Sequence, residues 1–250
     1  MKKQTLINLS LMLSMGLSSS VAFSAIQLSE FSTALKQGHT MIQLGGYWGI
    51  QGTQQHINIQ DLIGDTFTVK HNNGSNGLVG LGYYMDGQEH GPFKMSYGVN
   101  AFYLAKTQVD GTVLQENLFE NLSYRYDITH YPLYAMAKTT IKTKSPQHAV
   151  TLDVGIGPNF MRTSGFKEAP LDKITVPDTF FSSHTTTTFT ATAGAGLQFN
   201  DAFGHAPLTC GYRFFYLGEG KFNTINNQVV NTLKTGADYA NAVICAITLP

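Results

Sequence analysis

One pattern recurs eight times between residue 40 and the C-terminus: apolar residues alternate, with a period of two, against small or polar ones. The stretch HAVTLDVGIGPNFMRTSG, His148 to Gly165, shows it with almost no error. Val150, Leu152, Val154 and Ile156 share one face, with Phe160 beyond them; Thr151, Asp153, Gly155, Gly157 and Asn159 share the other. That is the period of a β-strand, because successive Cβ atoms point to opposite faces. The alternating segments run near 40–51, 77–86, 93–106, 121–140, 149–163, 185–200, 207–220 and 237–249. In the same region no apolar run approaches the ~20 residues that a membrane-spanning helix needs.

The connections sort into two kinds. GQEHGP, KTKSPQH and DAFGHA are short and rich in turn residues. The other four, through QQHINIQDLIGDTFTVKHNNGS, TQVDGTVLQE, SGFKEAPLDKITVPDTFFSSH and KFNTINNQVVNTLKTG, are longer and polar. Short and long alternate, which is what an up-and-down meander produces when its hairpins open by turns at one rim and the other. Outer-membrane barrels have this layout, with short periplasmic turns and longer external loops. The expected fold is therefore all-β, an eight-stranded antiparallel up-and-down transmembrane β-barrel spanning residues 40–250.

An ordinary secreted barrel, apolar inside, would alternate in the same way, so composition has to decide the direction. Charged residues make up only 13% of the chain, about half the usual quarter. The apolar rows carry aromatic residues toward their ends: Trp48, Tyr83, Tyr97, Tyr103, Tyr124, Tyr126, Tyr134, Phe160, Phe199, Tyr212, Phe214 and Tyr216 are expected to form the membrane girdle. The opposite rows are dominated by Gly, Thr and amide side chains with almost no Lys, which suits a narrow interior better than a water-exposed sheet face. The polar face is expected inside and the apolar face toward lipid.

The N-terminus, MKKQTLINLSLMLSMGLSSSVAFSA, has a short basic region at Lys2 and Lys3, an apolar stretch and small residues at Ala22 and Ser24. It reads as a signal peptide, residues 1–24, cleaved after Ser24 with Ala22 as the alternative. Residues 25–39 are expected to form an N-terminal periplasmic segment. Formal net charge is zero and falls to about minus two once the leader is removed, so nothing points to a nucleic acid partner. Cys210 and Cys245 belong to no metal-ligand pattern. Both fall on the outward face near the short-turn ends of neighbouring strands, and two unpaired thiols in lipid are expected rather than a disulfide.

Several stretches resemble one family: GGYWGIQ in the first strand, IQDLIGDTFTV in the first loop, GLVGLGYYMDG in the second strand, YRYDITHYPLYAMAK in the fourth and GYRFFYLGEG in the seventh. They are similar to those of small outer-membrane β-barrel proteins of the OmpA-like type, in particular the eight-stranded barrels of intracellular gammaproteobacteria such as Legionella. The resemblance spans essentially the whole mature chain and implies a barrel in the outer membrane without identifying an activity. One departure is the C-terminus, ICAITLP, where such barrels usually finish on an aromatic residue.

Four charges, Arg125, Asp127, Asp153 and Arg213, fall on the rows assigned to the lumen. Buried charges are costly unless paired, so Arg125 is matched with Asp127 on one strand, and Asp153 with Arg213 across the bore as a salt-bridged plug. The eighth strand lacks the His and Ser that a lipid A deacylase would need. His71, Asp178 and His184 have no protease motif, and His39, His56, His90, His130, His148 and His205 fall mostly at rims and turns. No catalytic residue, metal or cofactor is expected. The expected function is a non-enzymatic, monomeric barrel with a structural or adhesin-like role through four external loops, touching outer-membrane lipid, lipopolysaccharide and a host surface molecule. A small pore is the alternative reading, and a lipid-modifying enzyme the third. Leu62, Ile63, Phe67, Ile174, Val176, Phe180 and Phe181 are the loop residues expected either to pack over the mouth or to dock on that molecule.

Overall fold

The computed structural model describes residues 38–172, 174–177, 179–204 and 206–249. The expected signal peptide, residues 25–37 of the expected N-terminal segment, Lys173, Asp178, His205 and Pro250 lie outside the described residues. The regular elements are all strands: β1 (His39–Ile50), β2 (Gln55–Ile57), β3 (Asp65–His71), β4 (Asn73–His90), β5 (Phe93–Gln115), β6 (Phe119–Lys142), β7 (His148–Pro170), β8 (Phe181–Ser182), β9 (His184–Phe203), β10 (Ala206–Lys221), β11 (Asn223–Thr224) and β12 (Lys234–Leu249). Eight of them close a ring in the order β4-β1-β12-β10-β9-β7-β6-β5, every pairing antiparallel. Closure leaves no open edge, which is the condition for placing backbone in lipid.

One rim carries the short turns. Glu89 faces Lys94, Lys142 faces Ala149 and Phe203 faces Ala206 across them. The two ends of the ring meet at this rim, with Thr40 opposite Leu249.

At the other rim the strands continue well past the expected boundaries. β5, β6 and β7 contain 23, 24 and 23 residues, where about 9–11 suffice to cross a bilayer. At roughly 3.3 Å per residue and a tilt of about 45°, 24 residues climb about 55 Å, twice the ~25 Å apolar band of such barrels. Most of the expected second loop is strand, and a turn of Glu116, Asn117 and Leu118 remains, its first two residues at φ of 49° and 60°. The first loop folds into β2 and β3, and β3 takes over the edge of β5 above β4, from Thr66 opposite Leu114 to His71 opposite Asp110. The seam to the last loop is held by Gly52 N–H donating to Thr235 O (2.7 Å), Gln60 N–H to Gln228 O (2.7 Å) and Val230 N–H to Asn58 O (2.9 Å). β8 pairs with β11. The external connections thus form a second storey of the barrel.

Each storey has its own core. The lower one packs Met41, Tyr47, Leu78, Tyr84, Phe102, Leu104, Tyr134, Met136, Phe215 and Leu217 inside the ring, with Ala240, Ala242, Ile244 and Ala246 of β12. The upper one is built around Phe67, Tyr124, Tyr126, Phe166, Phe181 and Phe222, with Ile57, Val109, Val113, Leu122, Ile128 and Leu233. Its rings meet at 5–6 Å, for example Phe67 edge-on to Tyr124 (5.1 Å) and Tyr126 edge-on to Phe222 (5.1 Å). Such geometry adds about 0.5–1.5 kcal/mol per pair beyond area burial.

The two cores together overturn the assignment of faces on β6. Tyr124 (3% exposed), Tyr126 (1%) and Tyr134 (0%) are not girdle residues; they point inward. The parity of β6 is constant, but what its outer face meets changes along its length. Below, Leu133, Ala135 and Ala137 face outward beside the lipid-facing rows of β5 and β7; above, Ser123, Arg125 and Asp127 face water. Above the bilayer the ordinary rule of apolar-inside applies, so the more apolar row is the wrong guide for that strand.

Bulges mark the passage between storeys, at Leu104/Thr107 on β5, at Gly165 on β7 (φ 65°) and at Gly218 on β10 (φ 80°). An extra residue switches which parity faces in, and this aims Phe166 into the upper core after Met161 and Thr163 have pointed in from the row of opposite parity. Carbonyls at these breaks are taken by inward side chains: Tyr47 OH donates to Ala105 O, Asn159 Nδ2 to Leu217 O (2.8 Å) and Thr163 Oγ1 to Lys221 O (2.9 Å).

The cysteines also differ from expectation. Cys210 and Cys245 are direct partners in the β10–β12 register and form a disulfide, with Cα atoms 4.1 Å apart. The pairing brings the two Sγ atoms within bonding reach, which spacing in the sequence does not reveal. The unfolded, unreduced protein is expected to react with no thiol-specific maleimide. Mass spectrometry should find label only after reductant; labelling without it would contradict the pairing.

Candidate functional site

The bore is where the inward rows converge. Arg213 of β10 reaches Asp153 of β7, Nη2 to Oδ1 at 2.7 Å, both side chains about nine-tenths buried. They meet because Gly194 of β9 stands between them in the register, opposite Asp153 on one side and Arg213 on the other. A Cβ at Gly194 would come within 3.0 Å of Asp153 Oδ1 and 3.2 Å of Arg213 Nη2, so the absence of a side chain makes room for the pair. The contact is an ion pair without an aligned hydrogen bond at Oδ1. Arg213 also donates from Nη1 to Thr192 Oγ1 (3.3 Å), and its guanidinium lies over the Phe102 ring at 5.5 Å.

A third charge joins them. Lys138, 6% exposed, is the register partner of Asp153 on β6. Its Nζ sits 5.9 Å from the Tyr84 ring centre and 3.9 Å from Met41 Sδ, and among the described residues no carboxylate lies within 4 Å of it. The sequence reading missed Lys138 because it had β6 inverted; the signal was available in the charged parity of Arg125 and Asp127, which belongs outside above the bilayer. Gln43 Nε2 donates to Asn100 Oδ1 (3.1 Å) and Asn100 Nδ2 to Tyr84 OH (2.9 Å), adding a polar layer to the apolar filling. The space left among these side chains is about 30 Å³, room for very few water molecules. Below it, a vestibule of about 490 Å³ opens at the short-turn rim between His39, Asp86, Lys94, Ser96 and Lys138.

Arg125 and Asp127 are not lumen residues. Both point outward on the upper storey, where Asp127 pairs with Lys106 of β5 at 3.0 Å and not with Arg125. Of the residues assigned to the girdle, Trp48, Tyr83, Tyr97, Tyr103, Phe160, Phe199, Tyr212, Phe214 and Tyr216 do face outward. Tyr212 and Phe214 sit midway along β10, and the Tyr212 hydroxyl is satisfied there by Asn241 Oδ1 of β12. Tyr131, absent from the sequence assignment, also faces outward and lies against Tyr103 at 5.4 Å.

Of the loop residues, Phe67 and Phe181 are buried in the upper core and Phe180 packs against it, while Leu62, Ile63, Ile174 and Val176 are exposed. In the third loop, Asp172 accepts from the backbone of Thr175 (2.6 Å), from its hydroxyl (2.7 Å) and from the backbone of Ile174 (3.0 Å), which holds its carboxyl below the usual range. His71 closes β3 opposite Asp110, and His184 opens β9 opposite Thr163. Among the described residues no three His, Cys, Asp or Glu side chains gather as a metal site would require.

Between the short turns and the bulges the outward rows are apolar or small apart from Asn241 of β12: Ile42, Leu44 and Trp48 on β1, Val79 and Leu81 on β4, Val99 and Tyr103 on β5, Leu152, Val154 and Ile156 on β7, Val243 on β12. No outward residue in that belt carries a charge, and outward charges resume above it at Lys106, Asp127 and Arg162, while Asp86 and Lys94 at the lower rim belong to the inner rows that line the vestibule. Soluble proteins do not expose a continuous apolar belt of this kind. The molecule is an outer-membrane β-barrel.

No protein-family model matches the sequence, and no curated protein matches it. Among solved structures the barrel is similar to Neisserial surface protein A at 12% identity, covering 83% of this chain and 96% of that one with a TM-score of 0.36. It is similar to the attachment invasion locus protein Ail of Yersinia pestis, solved in complex with the heparin analogue sucrose octasulfate, at 12% identity, 85% and 99% coverage and a TM-score of 0.36. The outer membrane protein OprG of Pseudomonas aeruginosa gives 12% identity, 84% and 96% coverage and a TM-score of 0.43.

Proposed function

We propose that this barrel is a non-enzymatic, monomeric scaffold that carries a rigid external storey for surface contact, and is neither a pore nor a lipid-modifying enzyme. The filled bore carries this reading. Phe102, Tyr134, Phe215 and Met136 meet across the lower storey, Asp153 and Arg213 close the level below them, and a second apolar core stands above. Water and ions have no continuous polar path through two packed layers. The external storey then has a job of its own: nearly half of the longest strands serves to hold Leu62, Ile63, Ile174 and Val176 at its far end, exposed to solvent. Apolar side chains held out on an ordered support suit contact with a host surface molecule.

The test combines two measurements on one preparation. In planar bilayers the purified barrel is expected to give no steady conductance. Beads coated with it are expected to bind host cells, and the variant Leu62→Ser, Ile63→Ser, Ile174→Ser, Val176→Ser to lose most of that binding. A steady large conductance, or binding indifferent to the four substitutions, would sink the reading.

A further inference from the structure

At the short-turn rim the bore ends in a blind vestibule of about 490 Å³, closed above by the polar layer and by the aromatic filling of the lower storey. The aspartates, lysines and arginines that line the bore floor and this vestibule do not balance: Arg213, Lys138 and Lys94 stand against Asp153 and Asp86. Both carboxylates are taken. Asp153 is held by Arg213 at 2.7 Å; Asp86 is held by Lys94 at 2.7 Å, accepts from Ser96 Oγ (3.2 Å) and has His39 Nδ1 at 3.8 Å. Lys138 is the charge left over.

Its surroundings do not satisfy it. An ammonium has three N–H donors, and among the described residues the acceptor within reach is the thioether of Met41, Nζ to Sδ at 3.9 Å. Thioether sulfur accepts weakly, and the Tyr84 ring at 5.9 Å attracts the ammonium without neutralising it. Lys138 lines both the small space above and the vestibule below, so it forms the vestibule's roof. A buried cation without a counter-charge is costly, and an anion seated beneath it would offset that cost. The walls there are mixed. Thr140 lies two residues nearer the rim on β6 and Thr248 lines the β12 side, offering hydroxyls, while Ala206, Pro207 and Leu249 are apolar. One uncompensated positive charge matches one negative charge. A phosphate monoester, with nearly two, would leave negative charge in excess, whereas a carboxylate balances Lys138 and accepts charge-assisted hydrogen bonds from it.

We propose that the vestibule is a binding site for a small monocarboxylate with an apolar body, entering from the short-turn side. Its carboxylate sits on Lys138 and its apolar part lies against Ala206, Pro207 and Leu249. A concave site of this size, largely apolar with a few fixed polar groups, is the usual form of a small-molecule pocket. The site faces away from the external storey and lies below the packed level of the bore. Binding here therefore implies neither transport nor host contact, and the conductance and cell-binding results do not bear on it.

The test is a saturation-transfer NMR titration of the full, detergent-solubilised barrel with N-acetylleucine and with N-acetylleucinamide, which has nearly the same shape and no charge. Wild type is expected to bind the acid and not the amide. Lys138→Met, which puts an apolar chain in place of the ammonium, should weaken binding of the acid by about tenfold or more. Ala206→Trp, which narrows the vestibule and leaves every charge in place, should weaken it as well. Unheated gel mobility confirms that each variant is folded. No binding of the acid by wild type, equal binding of acid and amide, or undiminished binding by either folded variant overturns the proposal. Displacement of the acid by equimolar inorganic phosphate would reassign the site to phosphate and overturn it too.

Discussion

Replacing Arg213 by Ala is expected to destabilise the barrel by about 3–5 kcal/mol, because it strands Asp153 in the bore without a counter-charge. Lys138, the neighbour across β6, is the one other cation in the same register row, and it lies beyond 4 Å. The partner substitution Asp153→Ala should cost a similar amount, leaving Arg213 and Lys138 as two unpaired buried cations. Replacing all three charges, Asp153→Leu with Arg213→Met and Lys138→Met, should recover most of the loss, since apolar side chains of similar volume often substitute for buried ionic groups at little net cost. Urea unfolding in detergent, followed by fluorescence of the single tryptophan, Trp48, measures all four states. Single losses under about 1 kcal/mol would place the pair among weakly coupled, solvated charges.

Phe67→Ala carries the second large effect. Phe67 is buried at the centre of the upper core, touching the rings of Tyr124, Phe166 and Phe181. Large-to-small truncation of an aromatic residue in such a site costs about 3–5 kcal/mol. The loss should be local. The lower storey shares none of these side chains, so the variant should remain inserted and resistant to protease through the membrane span. The connections around β2, β3, β8 and β11 should become cleavable. Limited proteolysis of vesicle-inserted protein reads this directly: a protected fragment pattern unchanged from wild type would mean that the upper storey does not depend on its aromatic core, and loss of the whole barrel would mean that the storeys are not separable.

Much of the barrel was legible in the residues. The alternation in β1, β7 and β9, the Gly-rich and Pro-rich short turns, and the scarcity of charge implied eight strands closing in lipid, and seven of the eight were assigned the correct lipid face. Asp153 and Arg213 were identifiable as a candidate pair because each was a lone charge in a row otherwise of Gly and Thr at similar depth. The cysteine pairing was not legible, because whether two strand residues lie side by side depends on register, which a one-residue shift would undo.

β6 shows where sequence by itself stops. Alternation determines that Leu122, Tyr124, Tyr126, Ile128, Tyr134 and Met136 share a face, and it determined that correctly. It carries no information about what lies on either side of that face. In lipid an apolar row turns out, in water it turns in, and a strand long enough to leave the bilayer meets both surroundings with one parity. Only the tertiary structure shows that β5, β6 and β7 rise beyond the membrane and close around a second core, so only it decides that these tyrosines are buried and that Arg125 and Asp127 stand outside. Periodicity is a local property of the chain, whereas inside and outside are defined by what the closed barrel encloses.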